Sequence, residues 1–432
     1  MRHRQTSRRD FLKTSALGTA LWVSGTQSLR AAKSPNEKLN IGAIGVGGRG
    51  RADLNAVATE NIVALCDVDD TRLGQAAEGH KSAKTYADYR ELLQQDDLDA
   101  VVIGTPDHHH APAAIRALRR GLPVYCEKPL THTVREARLL TETARKMGVA
   151  TQMGTQNHEH PGYVKMIDLV KQGTIGPVRE AHVITDRPGR WWKQGQTVPQ
   201  DQPAVPKDLH WDLWLGPAAE RAYSPAYVPF AWRGWWDFGC GAIGDMAIHL
   251  MDPVFMALNL GGPVKVTSTG PAVLPASGPT EMITKFEFAA RGDLPPCTVY
   301  WYEGEARPTG EVAERLPMNG SLLIGDDGQI ACPHAKYPTL FTGDETKDLT
   351  PENAEEFSQT HHHQQWITAC KTGSPTGSNF DYAGPFTEIV LLGNVAYRTG
   401  EMVHYDPQSM KITNNAQAND LLDKEYRVGW EV

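Results

Sequence analysis

The 432-residue chain has no C-x-x-C pair, no uninterrupted apolar run of bilayer length, no internal repeat and no surplus of positive charge. Its six cysteines, Cys66, Cys126, Cys240, Cys297, Cys332 and Cys370, are too scattered for a disulfide framework or a zinc site and read as buried thiols. The first apolar stretch, Ala16 to Val23, is interrupted by Gly18 and falls short of the roughly 20 residues that span a bilayer. A net charge of −8 argues against nucleic acid as a partner, because binders of a phosphate backbone concentrate positive charge. What remains is an ordinary soluble composition, 40% hydrophobic and 22% charged.

The chain begins with a recognisable address. In "SRRDFLKTSALG", Arg8-Arg9 followed by Phe11, Leu12 and Lys13 reads as a twin-arginine export signal, with small residues Ala31-Ala32 behind the apolar stretch. Residues 1–33 are therefore set aside as a removable signal, and the expected location is periplasmic. No cysteine follows the apolar stretch, so a lipid anchor is not expected.

About 400 residues are left, more than one core usually serves, so two domains are expected. From Leu39 short apolar runs alternate with helical stretches: "LNIGAIGVG", "NIVALCDVD", "LDAVVIGTP", "LPVYCEKPL" and "VATQMGTQ" read as strands, and "VREARLLTETARKMG" is a periodic helix ending at Gly148. This pattern predicts a doubly wound α/β (Rossmann) domain over residues 38–157. Beyond it, residues 158–405 combine a helix over 242–258, strand-like pieces such as "MITKFEFAA" and "CTVYWYEG", and helices over about 362–371 and 386–397. They predict an α+β domain on a largely antiparallel sheet, followed by a tail over 406–432.

Gly45-Val46-Gly47-Gly48-Arg49-Gly50 lies where the first strand meets the first helix. Gly45 permits the tight turn, Gly47 lets backbone approach a pyrophosphate, and Gly50 allows close helix–sheet packing, while the helix N-terminus offers free N–H groups to phosphate. Asp67 ends the second strand, where a carboxylate accepts from a ribose 2′-hydroxyl and would repel a 2′-phosphate, favouring NAD over NADP. Lys128 in "YCEKPL" follows a later strand and is placed near the nicotinamide, with Glu127 beside it; the bond before Pro129 can be cis at modest cost. In "GAIGDMAIHLMD", Asp245 and His249 are four residues apart and share one face of a helix. A histidine there can take a proton from a hydroxyl near neutral pH. The pair alone has too few ligands for a metal, and none is expected.

Taken together, "IGAIGVGGRG", "ALCDVD", "GTPDHHHAPAAIRALRRGLPVYCEKPL", "QGTIGPVRE" and "GCGAIGDMAIHLMD" resemble the glucose-fructose oxidoreductase / inositol dehydrogenase (Gfo/Idh/MocA) family. The resemblance implies that Lys128, Asp245 and His249 line a sugar site beside nicotinamide. It also implies that Thr105 and His108, in "TPDHHH", lie along the dinucleotide, with Asn157 reaching it from the last strand. The tail "NNAQANDLLDKEYRVGWEV" is similar to that of an exported branch, and pairing through an open sheet face, giving a dimer or tetramer, is a family expectation.

Two histidine triplets need weighing against metal binding. His108–His110 read as a loop at the cofactor edge and His361–His363 as the start of a helix. Seven of the eleven tryptophans fall between Trp191 and Trp236. Aromatic faces stack on sugar C–H faces, so Trp191, Trp192, Trp235 and Trp236 are candidate platforms against the alternative of self-burial or subunit contact. Arg233 beside them is a candidate for an acidic sugar or a backbone carbonyl.

The expected chemistry is oxidation of a secondary hydroxyl on a sugar, polyol or sugar derivative. His249 takes the proton while Lys128 hydrogen-bonds the developing alkoxide, with Lys128 the alternative base, and Asp245 holds the substrate and polarises the site. Export in the folded state fits a cofactor acquired in the cytoplasm and held tightly, which the reaction cycle would have to regenerate. The alternative is an NAD-dependent glycoside hydrolase or lyase working by transient oxidation. Such relatives carry a Tyr-Pro-Thr-His-Gly-Leu-Gly-Pro stretch where this chain has Asp-Met-Ala-Ile-His.

Overall fold

The computed structural model describes residues 37–262 and 264–432; the export signal expected over residues 1–33 lies outside them. The first sheet contains β1 (Asn40–Ile44), β2 (Asn61–Cys66), β3 (Lys84–Tyr86), β4 (Ala100–Ile103), β5 (Val124–Cys126) and β6 (Thr151–Met153). All its pairs are parallel and the order is β3-β2-β1-β4-β5-β6, the doubly wound arrangement expected from alternating apolar runs and helices. Both β1 and β4 are almost wholly buried, as strands covered on two faces must be. The order reverses between β1 and β4, so a crevice opens beyond their carboxyl ends.

Gly45 sits at φ +78°, and a Cβ there would stand 2.8 Å from the Gly104 carbonyl carbon. A Cβ on Gly50 would stand 1.8 Å from the Gly45 oxygen. The turn after β1, the helix Gly48–Ala56 and the end of β4 thus meet backbone to backbone. Helix Val134–Met147 ends on left-handed Gly148, as its sequence pattern predicted, and its start carries a full capping box between Thr133 and Glu136.

The second sheet has ten strands: β7 (Val178–Thr185), β8 (Val264–Thr269), β9 (Met282–Phe288), β10 (Cys297–Glu303), β11 (Gly320–Gly325), β12 (Gln329–Pro333), β13 (Thr339–Thr342), β14 (Glu345–Asp348), β15 (Val403–Asp406) and β16 (Lys411–Ile412). Their order is β14-β13-β12-β11-β7-β10-β9-β8-β15-β16, antiparallel throughout except for β7 with β10. The stretch predicted as one helix over 242–258 is a π-helical turn, Ile243–Ala247, running into short α-helices Ile248–Leu250 and Asp252–Leu258. The helix expected to start at Phe386 begins at Phe380, where Asn379 caps the backbone N–H groups of Asp381 and Tyr382, and it tolerates Pro385 near its start.

That helix, Phe380–Thr399, is apolar nearly all round and packs on both halves of the molecule. Glu388 on it accepts two 2.8 Å bonds from Arg138 of helix Val134–Met147 and one from Tyr405 of β15. One apolar core therefore runs from the first sheet into the second, fixing the crevice wall that each contributes. Among the described residues no helix is long and apolar enough to cross a membrane.

Candidate active site

A cleft of about 610 Å³ opens at the β1–β4 switch point. Gly45, Gly47, Gly48, Arg49, Asp67, Thr105, Glu127, Lys128, Asn157, Arg233, Asp245 and His249 all line it, so one site collects residues foreseen from motifs up to about 200 positions apart. Gly50 lies behind the wall, where it makes the close backbone contact described above.

At one end the structure suits a dinucleotide. Helix Gly48–Ala56 has no side-chain cap, leaving its first N–H groups open to the cleft. Asp67 accepts from Val46 N at 2.9 Å and Asp69 N at 3.1 Å. Burial pushes its pKa up while these backbone donors and Arg72 oppose the rise, and its oxygens keep acceptor capacity for a ribose hydroxyl. The Thr105 hydroxyl is buried without a partner at the end of β4. Arg49 bridges Asp53 at 3.1 Å and Glu127 at 3.2 Å. Burial alone would raise the pKa of Glu127, but Arg49 and Lys128 outweigh it and hold the group below the usual range.

At the other end, Lys128 precedes the cis Lys128–Pro129 bond and donates to the Asp245 carboxylate at 2.5 Å and its carbonyl at 3.2 Å. Arg233 Nε donates to the same carboxylate oxygen at 3.2 Å. Burial works against the charge of Asp245, yet these two cations hold its pKa well below the carboxylate range. The π-helical turn sets this contact, since Gly244 packs against Cys240 and the Pro129 ring so closely that a Cβ would meet Cys240 Cβ at 2.1 Å. His249 is pushed well below the usual imidazole value, first by burial and then by the charge of Lys128. It is therefore neutral at physiological pH, and its Nδ1 is buried without a partner.

Several expectations are corrected. His108, expected along the dinucleotide, does not line the cleft: its ring nitrogens sit 3.2 and 3.0 Å from the carbonyls of Phe238 and Trp214, and His109 lines the cleft instead. The triplet is not a loop, because His108–His110 form the first turn of helix Asp107–Arg119. All three rings reach backbone carbonyls, His110 those of Pro129 and Thr105. Trp235 and Trp236 are no sugar platform. Trp235 is buried among Tyr227, Phe238 and Trp232, and Trp236 turns to a separate depression behind the cleft. Trp192 is likewise buried, donating to Gln194, whereas Trp191 stands at the cleft rim, 56% exposed. His361–His363 do begin a helix, Thr360–Thr372, where His362 lies 2.8 Å from the Met153 carbonyl. Among the described residues no cluster suits a metal ion.

The sequence did not reveal five cleft features. His334, after β12, faces His249 with ring centroids 5.6 Å apart; burial, then Arg187, lowers its pKa to about 4. Arg187 and Trp232 also line the same end. A strap over Asp208–Leu215 runs beside the loop after β2: Asp70 N donates to Asp208 O at 2.8 Å and His210 N to Val68 O at 2.9 Å. Trp214 of that strap and Trp430 of the tail close the wall beside Asp88 and Tyr89. Arg427 ties tail to strap through Asp212 at 2.6 Å and Gly216 O at 2.9 Å. Gly216 between segments and the paired Trp211–Trp214 stack hint at such a turn, but nothing local names its target.

Comparison with known proteins agrees with this architecture. The profile of an oxidoreductase family with an NAD-binding Rossmann fold matches residues 39–155, and that of its C-terminal alpha/beta domain matches residues 163–276, together more than half of the chain. The inositol 2-dehydrogenase of Rubrobacter xylanophilus is 32% identical over 149 residues, 33% of this chain and 43% of that relative, so the match spans less than half of the relative's length. The fold is shared with the WlbA dehydrogenase of Bordetella pertussis, solved with NADH and UDP-GlcNAcA (TM-score 0.62, 17% identity, 85% and 99% of the two chains). It is shared too with the aldose-aldose oxidoreductase of Caulobacter crescentus, solved with glycerol (TM-score 0.60, 17% identity, 85% and 100%). From its glycine turn to its second sheet, the chain belongs to the Gfo/Idh/MocA oxidoreductase family.

Proposed function

We propose that the protein is a nicotinamide-dinucleotide-dependent oxidoreductase acting on a secondary hydroxyl of a sugar, polyol or sugar derivative. The observation that carries this reading is the Lys128–Asp245 contact with neutral His249 beside it, at the far end of a cleft that begins at an uncapped helix N-terminus. The dinucleotide, when bound, supplies the hydride acceptor. His249, uncharged and lining the cleft, accepts the hydroxyl proton. Lys128 donates to the oxygen as negative charge develops there, and Asp245, fixed as a carboxylate, holds the ammonium in place and accepts from a neighbouring hydroxyl. The redox form of the reaction is preferred to the hydrolytic one because the relatives and neighbours described above are dehydrogenases and oxidoreductases.

NAD is the preferred cofactor on this reading, since a carboxylate at Asp67, hydrogen-bonded to the glycine turn, suits a ribose 2′-hydroxyl and would repel a 2′-phosphate. The strap and Trp430 support tight retention, because leaving the cleft would require opening hydrogen bonds that tie three segments together. Retention fits export of an already folded protein to the periplasm through the signal at Arg8-Arg9. We also expect a homo-oligomer formed through the open face of the ten-stranded sheet, where Ile283, Lys285 and Glu287 remain partly exposed.

The decisive experiment takes protein purified without added cofactor, desalts and denatures it, and measures nicotinamide dinucleotide per chain. Near one equivalent, reducible in the native protein by a panel of free sugars, is expected. Folded protein that carries no dinucleotide and takes up none when it is supplied would overturn the reading.

A further inference from the structure

The cleft carries more positive charge at its substrate end than its own carboxylates balance. Three cations line it there, Lys128, Arg187 and Arg233, against the single carboxylate of Asp245. That leaves two positive charges over, since His249 and His334 are both held neutral, first of all by burial. Glu127 does not make up the difference, being bridged to Arg49 at 3.2 Å. Lys128 and Arg233 both spend their charge on Asp245.

Arg187 is different. Its guanidinium lies 3.7 Å over the Trp191 ring and, among the described residues, makes no ion pair or side-chain hydrogen bond. Its near neighbour Asp186 is engaged instead by Arg190 and Asn319. Arg187 stands close enough to His334 and Asp245 for its charge to act on the first and to feel the second. An arginine half withdrawn from water with no counter-ion is costly to keep unless something is to pair with it. The oxidised nicotinamide would add a further positive charge to this end and not relieve it.

We infer that the substrate is an acidic sugar, and that Arg187, braced on Trp191, binds its carboxylate. A carboxylate suits one planar guanidinium, which it meets with two parallel hydrogen bonds. A phosphate more often takes a cluster of cations or a helix N-terminus, and here the open helix N-terminus is at the opposite end of the cleft. This inference rests on the oxidoreductase reading above and makes Arg187 a specificity-determining residue, distinct from the groups that handle the proton.

The test compares matched pairs on cofactor-loaded protein: glucose with glucuronate, galactose with galacturonate, and glucose 6-phosphate as the alternative anion. The readout is reduction of the bound nicotinamide, with binding by calorimetry in parallel. The expected result is a hexuronate preferred to its hexose in kcat/KM, with a KM that rises with salt. In Arg187→Gln that ratio falls about 10- to 100-fold, the loss expected for one charge-assisted pair, and Arg187→Lys recovers part of it. A hexose turned over as well as its acid, or a ratio unchanged in Arg187→Gln, would sink the inference and leave the oxidoreductase reading standing. A preference for the phosphate would sink the carboxylate assignment. If nothing reduces the nicotinamide, calorimetry still decides: salt-sensitive hexuronate binding lost in Arg187→Gln supports the inference, and no binding overturns it.

Discussion

At the dinucleotide end, the cleft floor comes from short stretches, Gly45 to Arg49 and Asp67 to Asp69, each lying immediately after a strand. At the substrate end Lys128, Arg187, Asp245, His249 and His334 arrive from separate parts of the chain, and the second sheet supplies two of the flanking segments. The first end is held by backbone contact between glycines, which leaves no room for adjustment. The second is held by ion pairs and rings, which can be altered one at a time. Binding of the cofactor and choice of substrate should therefore be separable by mutation.

The largest effect is expected at Lys128. Lys128→Ala removes the donor to the reacting oxygen and should lower turnover roughly 10²- to 10³-fold, while dinucleotide still binds because the β1 turn is untouched. Equal loss of both, measured on one preparation, would show that the two ends are not separable. An intermediate effect is expected at Asp67. Asp67→Asn removes the charge opposing a 2′-phosphate, so the ratio of NAD to NADP affinity should fall by about 10-fold or more. An unchanged ratio in a titration of cofactor-depleted protein would remove Asp67 from the ribose site.

The smallest effect is in stability and concerns the histidines around both ends. Burial lowers the pKa of His109 to about 3, His334 to about 4 and His362 to about 3. A group whose folded pKa lies below its unfolded one stabilises fully above the unfolded value, near 6.5, and loses that stabilisation as pH falls toward the folded value. Through these three groups the urea midpoint should decline from roughly pH 6.5 toward about pH 4. His158 has the opposite sign. Burial opposes its charge, but Asp252 at 2.9 Å raises its pKa, so its contribution is present below about 6.5 and lost as pH rises through the raised value. A midpoint that climbs on acidification from pH 6 would contradict the balance drawn here.

The same contrast explains what could be read from the amino-acid sequence. Gly45, Gly47, Asp67 and Lys128 declare themselves because their chemistry depends on a few neighbours and on following a strand. The Asp245–His249 spacing was visible as well, although its π-helical turn was not, since one extra residue per turn leaves no compositional mark. His108 was misplaced because a histidine next to a strand end looks the same whether it faces ligand or the carbonyls of Phe238 and Trp214, which lie more than 100 residues away. The tryptophans were ambiguous for a related reason: stacking on sugar and stacking on Tyr227 and Phe238 require the same rings. β7 was overlooked because its polar members, Glu180 and His182, pair with each other and interrupt the apolar pattern of a central strand. Arg187 and His334 could not be found at all without tertiary proximity.

Trp430 adds a matter of timing. A chain emerging from the ribosome makes β1, the glycine turn and Asp67 early, and hundreds of residues pass before it makes the indole that closes the wall beside them. Until then the wall beside the first domain has the strap with Trp214 but not the tail that Arg427 ties to it. On the reading proposed above, Arg427 and Trp430 would make the difference between a cofactor that rests in the cleft and one that is enclosed.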